Sequence, residues 1–161
     1  MNPAGLAAEL EQRILAGIPL ARAMQVRLLS FDGERVVLEA PFAPNVNDKG
    51  TGFAGSLATL VTLSGWSLAT LLAEGALSGT AFAAARCEAA VYRSELEFLR
   101  PVRETLRAEA WLATPASRLR DTLLAGRRAK LAVAAELGAA ADPAVRFRGG
   151  YAVWRAGTQP F

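Results

Sequence analysis

The chain has no histidine among its 161 residues. That removes histidine-dependent triads, histidine general bases and histidine metal ligands together. Cysteine occurs once, as Cys87, so neither an internal disulfide nor a cysteine-rich metal site is available, and no metal is expected. The plain reading of that thiol is a buried structural one. Lys49 and Lys130 are the only lysines, and the net charge of +3 comes from arginines scattered without a run of five or more. Such scatter argues against a nucleic-acid groove and suits a few arginines meeting a phosphorylated small molecule. No basic stretch leads into an apolar core at the start, so no secretory leader is expected and the cytoplasm is the expected location. Charge itself is missing from one long stretch, Gly50 to Ala73.

What is present is globular: 52% hydrophobic and 20% charged residues, with both signs spread along the chain. The length suits one domain, here residues 1–161, with no repeat, linker or low-complexity tract. Asn2 can cap a first helix, Pro3 suits its first turn, and Leu6, Leu10 and Ile14 form its apolar stripe until Gly17 and Pro19 stop it. "MQVRLLSF" and "RVVLEAPF" flank Asp32-Gly33, a tight-turn dipeptide, and read as a hairpin. Beyond the uncharged run, "EAAVYRSELEFLRPV" alternates, with Tyr92, Ser94, Leu96 and Phe98 against Arg93, Glu95 and Glu97. "ETLRAEAWLAT" does the same, and a short helix follows from Thr114 and Pro115 through Leu119 and Leu123 to Gly126. "RAKLAVAAELG" and "AVRFRGGYAVWR" supply two last strands, and Gly149-Gly150 inside the second marks a bulge or a close backbone approach. This order predicts an α+β fold: a curved antiparallel sheet of about six strands around one long helix, with an N-terminal helix beside it.

The uncharged run is long enough to span a bilayer. Ser56, Thr59, Ser67 and Thr70 give it a small polar stripe on one side, its flanks lack clustered Lys and Arg, and the rest of the chain is strand-rich. A core helix is therefore expected, and no membrane partner. Trp66, in its middle, reads as core.

"APFAPNVNDKGTGFAGSLATLVTLSGW" resembles the signature of the YiiD-type C-terminal thioesterase domain, a family of the hotdog-fold thioesterase superfamily. "GIPLARAM" and the terminal "RGGYAVWR" also look like family positions, so the resemblance runs from about Gly17 to Arg155. It implies the hotdog fold, a homodimer or dimer of dimers, and an acyl-CoA or acyl-carrier-protein thioester bound at a subunit interface. Coenzyme A or phosphopantetheine would then be part of the substrate, with no separate cofactor. It further implies that a backbone N–H at the start of the central helix meets the thioester oxygen. An acid or amide in the preceding loop would act on the thioester or on water. Asn47 and Gly50 match the acid-or-amide, two residues, glycine spacing of that loop.

Elementary chemistry supports the helix start independently. A long helix begins with unpaired N–H groups and a partial positive charge, which suit an oxyanion developing on a carbonyl, here at Gly55. Ser56 adds a hydroxyl or simply caps. Asp48 is the only carboxylate in the segment and the best candidate for polarising water. Asn, Asp and Gly before a helix are equally ordinary turn and cap residues. Asn45 reads as a turn former near the substrate, and Lys49 as a solvated charge or phosphate contact. Arg100, Arg103 and Arg128 are candidates for phosphate contacts or for solvated strand edges.

The chain also departs from the family pattern. Phe53-Ala54-Gly55 stands where many relatives carry His-Gly-Gly, and Thr62, with Ser64 nearby, stands where many carry a helix acid. The expected site is therefore Asn47, Asp48 and Gly55 for catalysis, with Asn45, Gly50, Phe53, Ser56, Thr62, Ser64 and Arg100 against the substrate. The alternative is a non-catalytic acyl-thioester-binding domain.

Overall fold

The computed structural model describes residues 3–158. Helix α1 (Pro3–Gly17) buries Leu6, Ala7, Leu10 and Ile14; the proposed Asn2 cap lies outside the described residues. Pro19 does more than stop α1, because its fixed φ starts a second short helix, α2 (Pro19–Ala23). Strands β1 (Arg27–Phe31) and β2 (Arg35–Ala40) form the expected hairpin. The Asp32 carboxylate accepts the N–H groups of Glu34 (2.8 Å) and Arg35 (2.7 Å), which hold it below the usual carboxylate range. A single 3-10 turn (Ala43–Asn45) and a loop lead to α3 (Ala54–Leu77). Then come β3 (Cys87–Phe98), β4 (Leu106–Leu112), α4 (Leu119–Leu124), β5 (Ala129–Ala139) and β6 (Asp142–Arg155).

The six strands form one antiparallel sheet in the order β1-β2-β4-β5-β6-β3, with α3 packed across it. This is the expected hotdog arrangement. The inward residues follow the period of two: Val36, Leu38 and Ala40 on β2, Leu106, Ala108 and Ala110 on β4, and Leu131, Val133 and Ala135 on β5 are all buried. Against them α3 buries Leu57, Leu60, Val61, Leu68 and Leu71. That is why a helix can be apolar nearly all round here. It is the one described helix long and apolar enough to cross a membrane, and 72% of that stretch is buried inside the protein. The uncharged run is a core helix.

Tyr92 departs from the expected alternation. A register shift between Val91 and Arg93 puts its ring on the outer face, over Gly150 and under the Lys130 ammonium. Ser94 meanwhile faces α3 beside Val91 and Leu96. Gly150 thus provides a close approach, since a Cβ there would lie 2.6 Å from the tyrosine ring.

The C-terminal end of α3 is tied down by charge. Glu74 accepts from Arg13 of α1 at 2.8 Å and 3.2 Å and also accepts the Cys87 N–H at 3.1 Å. Cys87 is buried, and loss of hydration, with Glu74 nearby, pushes its thiol up to about 12. Burial likewise raises the Tyr151 phenol. Both groups are neutral when protonated and hold their protons more tightly in the folded chain. Their contribution to stability is therefore complete below the unfolded values near 9 and 10, and is lost as pH rises above them. Melting temperature should fall between pH 8.5 and 11, and Cys87 should resist maleimide at pH 7.5 until denaturant is added. Rapid labelling of native protein would contradict the buried, protonated thiol.

Candidate functional site

The entrance to α3 is built from its own loop outward. The Asn47 side chain is spent locally: its Oδ1 accepts the N–H groups of Lys49 (2.9 Å) and Thr51 (3.0 Å), and its Nδ2 donates to Thr51 Oγ1 (2.8 Å). The Asn47 N–H donates to the Thr51 carbonyl, and the Gly50 N–H to the Asn47 carbonyl, with Gly50 at φ +70°. This tight turn points Asp48 outward, 79% exposed and paired with Lys49 at 2.9 Å. Gly52 donates to the Val102 carbonyl, and Arg103 reaches the Gly50 carbonyl at 3.4 Å, so the loop before β4 braces the entrance.

Asn45 is the buried member of the set, 1% exposed. Its Nδ2 donates to the carbonyls of Met24 (3.0 Å) and Pro41 (2.8 Å), and its own carbonyl accepts the Phe53 N–H at 2.7 Å. One residue thereby joins the end of α2, the end of β2 and the residue before α3. Its Oδ1 is sealed from solvent without a protein partner.

Helix α3 then starts with no side-chain cap. The first-turn N–H groups of Ala54, Gly55 and Ser56 have no intrahelical acceptor by geometry, and they carry the positive end of a 24-residue helix. The exposed Phe53 ring lies against Gly55, where a Cβ would collide with it. Ser56 is buried.

About one turn on from this start, a groove of about 460 Å³ begins at Ala58 and Thr59 and runs along α3. Ala58, Thr59, Thr62, Leu63 and Trp66 form one wall, Val91, Ser94 and Leu96 of the edge strand the other, with Ile18 and Tyr151 completing it. The Tyr151 hydroxyl donates to the Thr62 carbonyl at 2.8 Å. Its ring passes so close to α3 that only glycine fits at position 65, where a Cβ would lie 2.5 Å from the Tyr151 oxygen.

The structure brings Asn45, Asn47, Asp48, Gly50, Phe53, Gly55 and Ser56 together at one end of α3, with Thr62 further along the groove. Two sequence-predicted residues lie elsewhere. Ser64 is fully buried, its hydroxyl donating to the Val61 carbonyl at 2.8 Å, because it sits on the face of α3 turned to the core. Arg100 is held at the β5–β6 turn, bonded to the Asp142 carbonyl and paired with its carboxylate at 2.9 Å. Trp66, read as core, is half-buried and lines the groove. The signal that would have found it is the spacing Gly55, Thr59, Thr62, Trp66, one face of a helix with small or polar residues until the last.

Residues 7–155 match the model of a family described as "Putative thioesterase (yiiD_Cterm)". The chain belongs to this family. Among solved structures, a Shewanella oneidensis protein described in the same terms is 28% identical, with a TM-score of 0.77, covering 92% of this chain and 97% of its own. A Chlorobaculum tepidum protein of unknown function is 26% identical, with a TM-score of 0.73, covering 94% of this chain and 96% of its own. A thioesterase of Haemophilus influenzae shares the fold at 13% identity, with a TM-score of 0.68 and coverage of 91% and 89%. In this member of the thioesterase family the groove walls carry no carboxylate among the described residues, and Asp48 is the carboxylate of the entrance loop.

Proposed function

We propose that this thioesterase-family chain hydrolyses an acyl thioester of coenzyme A or of a carrier protein, in the cytoplasm, as a homodimer or dimer of dimers. The reading rests on one observation above the others: an uncapped helix start stands about one turn from a groove lined largely by small and apolar side chains. The thioester carbonyl accepts the Gly55 N–H, and the acyl chain lies along α3. Water adds to the carbonyl carbon with Asp48 taking its proton. The C–S bond then breaks, the thiolate leaves and is protonated, and the free acid remains. Asn47 holds the loop that carries Asp48, and Asn45 holds Phe53, two residues before Gly55. Arg103 and Lys49, beside that loop, suit the phosphates of the substrate's pantetheine arm. A second copy completes the groove along β3, an edge strand whose Val91, Tyr92 and Phe98 are exposed, as is the adjoining Leu99.

A thiol-release assay across acyl-CoAs tests this. Asp48→Asn should lower turnover by about 10²-fold, the usual worth of a positioned general base, without moving the melting temperature. A second reading, a non-catalytic acyl-thioester-binding domain, is favoured by the solvated Asp48–Lys49 pair. Saturable acyl-CoA binding with no thiol released by the unmutated protein would select it.

A further inference from the structure

The groove along α3 has a closed end. Gly55, Thr59, Thr62 and Trp66 share one face of the helix and are each partly exposed, whereas Ala69, Thr70 and Ala73, the next residues on that side, are fully buried. The open lane therefore stops at Trp66. The indole is fixed there, because its Nε1–H donates to the Ala89 carbonyl of β3 at 2.8 Å and so bridges the two walls. We infer that Trp66 is a chain-length stop, admitting acyl groups of up to about eight to ten carbons; this rests on the acyl-thioester reading above.

The length follows from geometry. Gly55 to Trp66 is eleven residues, about 16 Å at about 1.5 Å of rise each. A helical side chain leans back over the preceding turn, which takes about 5 Å from the Trp66 end. About 11 Å remains. An extended chain advances roughly 1.2 Å per bond, from about 3.5 Å per three-bond peptide unit, which gives about nine bonds. A longer chain would have to displace a ring that is hydrogen-bonded to the sheet.

The test measures binding rather than turnover alone. Non-hydrolysable 2-oxoalkyl-CoA analogues with acyl lengths from four to sixteen carbons are titrated calorimetrically into the full chain, with thiol release from the matching acyl-CoAs run in parallel. Unmutated protein should gain affinity up to about eight to ten carbons and none beyond. Trp66→Ala should move the break to fourteen or more and tighten the fourteen-carbon analogue by at least about tenfold, a modest value for several extra buried methylenes. Trp66→Phe retains most of the ring and should keep the break within two carbons. Thr62→Phe fills the lane nearer its start and should shorten it, which keeps the proposal testable if Trp66→Ala does not fold. An unmoved break in folded Trp66→Ala, or in Thr62→Phe, overturns the stop, as does a shift in Trp66→Phe as large as in Trp66→Ala. Thiol release without any break overturns the stop and leaves hydrolysis standing. A break without thiol release supports the stop and overturns hydrolysis. No binding at any length overturns both.

Discussion

Gly55→Pro should cut turnover by about 10²- to 10³-fold, the usual cost of removing one donor from an oxyanion site. The substitution deletes an N–H that has no intrahelical acceptor, since Gly55 is the second residue of α3. Proline is tolerated in the first turn of a helix for the same reason, so the melting temperature should move by only a few degrees. A Cβ at this position meets the Phe53 ring, which is 54% exposed and free to turn outward. Gly55→Ala adds that same contact while keeping the N–H, so it isolates the donor. The alanine variant should stay within about tenfold of the unmutated kcat/KM, and the proline variant should fall well below it. Equal values for the two folded variants would remove the Gly55 N–H from the reaction.

The fold was legible in the sequence because its signals are local. The period of two in β2, β4 and β5, the Asp32-Gly33 turn and the uncharged run each identify an element from adjacent residues. The order of the strands was not local. β3 follows α3 in the chain yet lies at the sheet edge furthest from β1, a placement that depends on which long-range neighbour buries the most surface. The face of Tyr92 differs from the alternation for a related reason: one bulged position puts Tyr92 and Arg93 on the same face, while Val91, Ser94 and Leu96 share the other.

At the site, the entrance was legible as a segment, but the two amides within it carry different burdens from those the spacing assigned. Asn47 satisfies itself within four residues, which any loop of this composition can do. Asn45 depends on a carbonyl 21 residues away, and no local pattern announces such a partner. Trp66 packs against the core and also lines the groove, and the second role was not legible because periodicity reports that a helix is mostly buried, not which stripe of it a sheet of finite width leaves uncovered.

Asn45→Asp should be the most damaging single-atom-scale change in the molecule, costing about 3–5 kcal/mol near neutral pH, as an uncompensated buried charge does. Two backbone carbonyls face the Asn45 Nδ2, and only a group with two hydrogens to give can sit between them. An ionised carboxylate has none, so it would meet two acceptors in a site from which water is excluded. Protonation restores one donor. Burial therefore raises the native-state value of the new carboxyl above its unfolded value of about 3.9. A group shifted upward is best tolerated below the unfolded value and loses stability as pH rises through the native one. The gap in melting temperature between Asn45→Asp and the unmutated protein should then be about 10 °C or more at pH 7 and narrow towards pH 4.5. Asn45→Ala strands the same two carbonyls without adding charge, so its gap should be smaller at pH 7 and flat with pH. Parallel gaps for the two variants across that range would show that the Asn45 pocket is open to water. Because the Asn45 carbonyl also accepts the Phe53 N–H, activity in Asn45→Asp should fall before the chain unfolds, as the start of α3 loses its anchor.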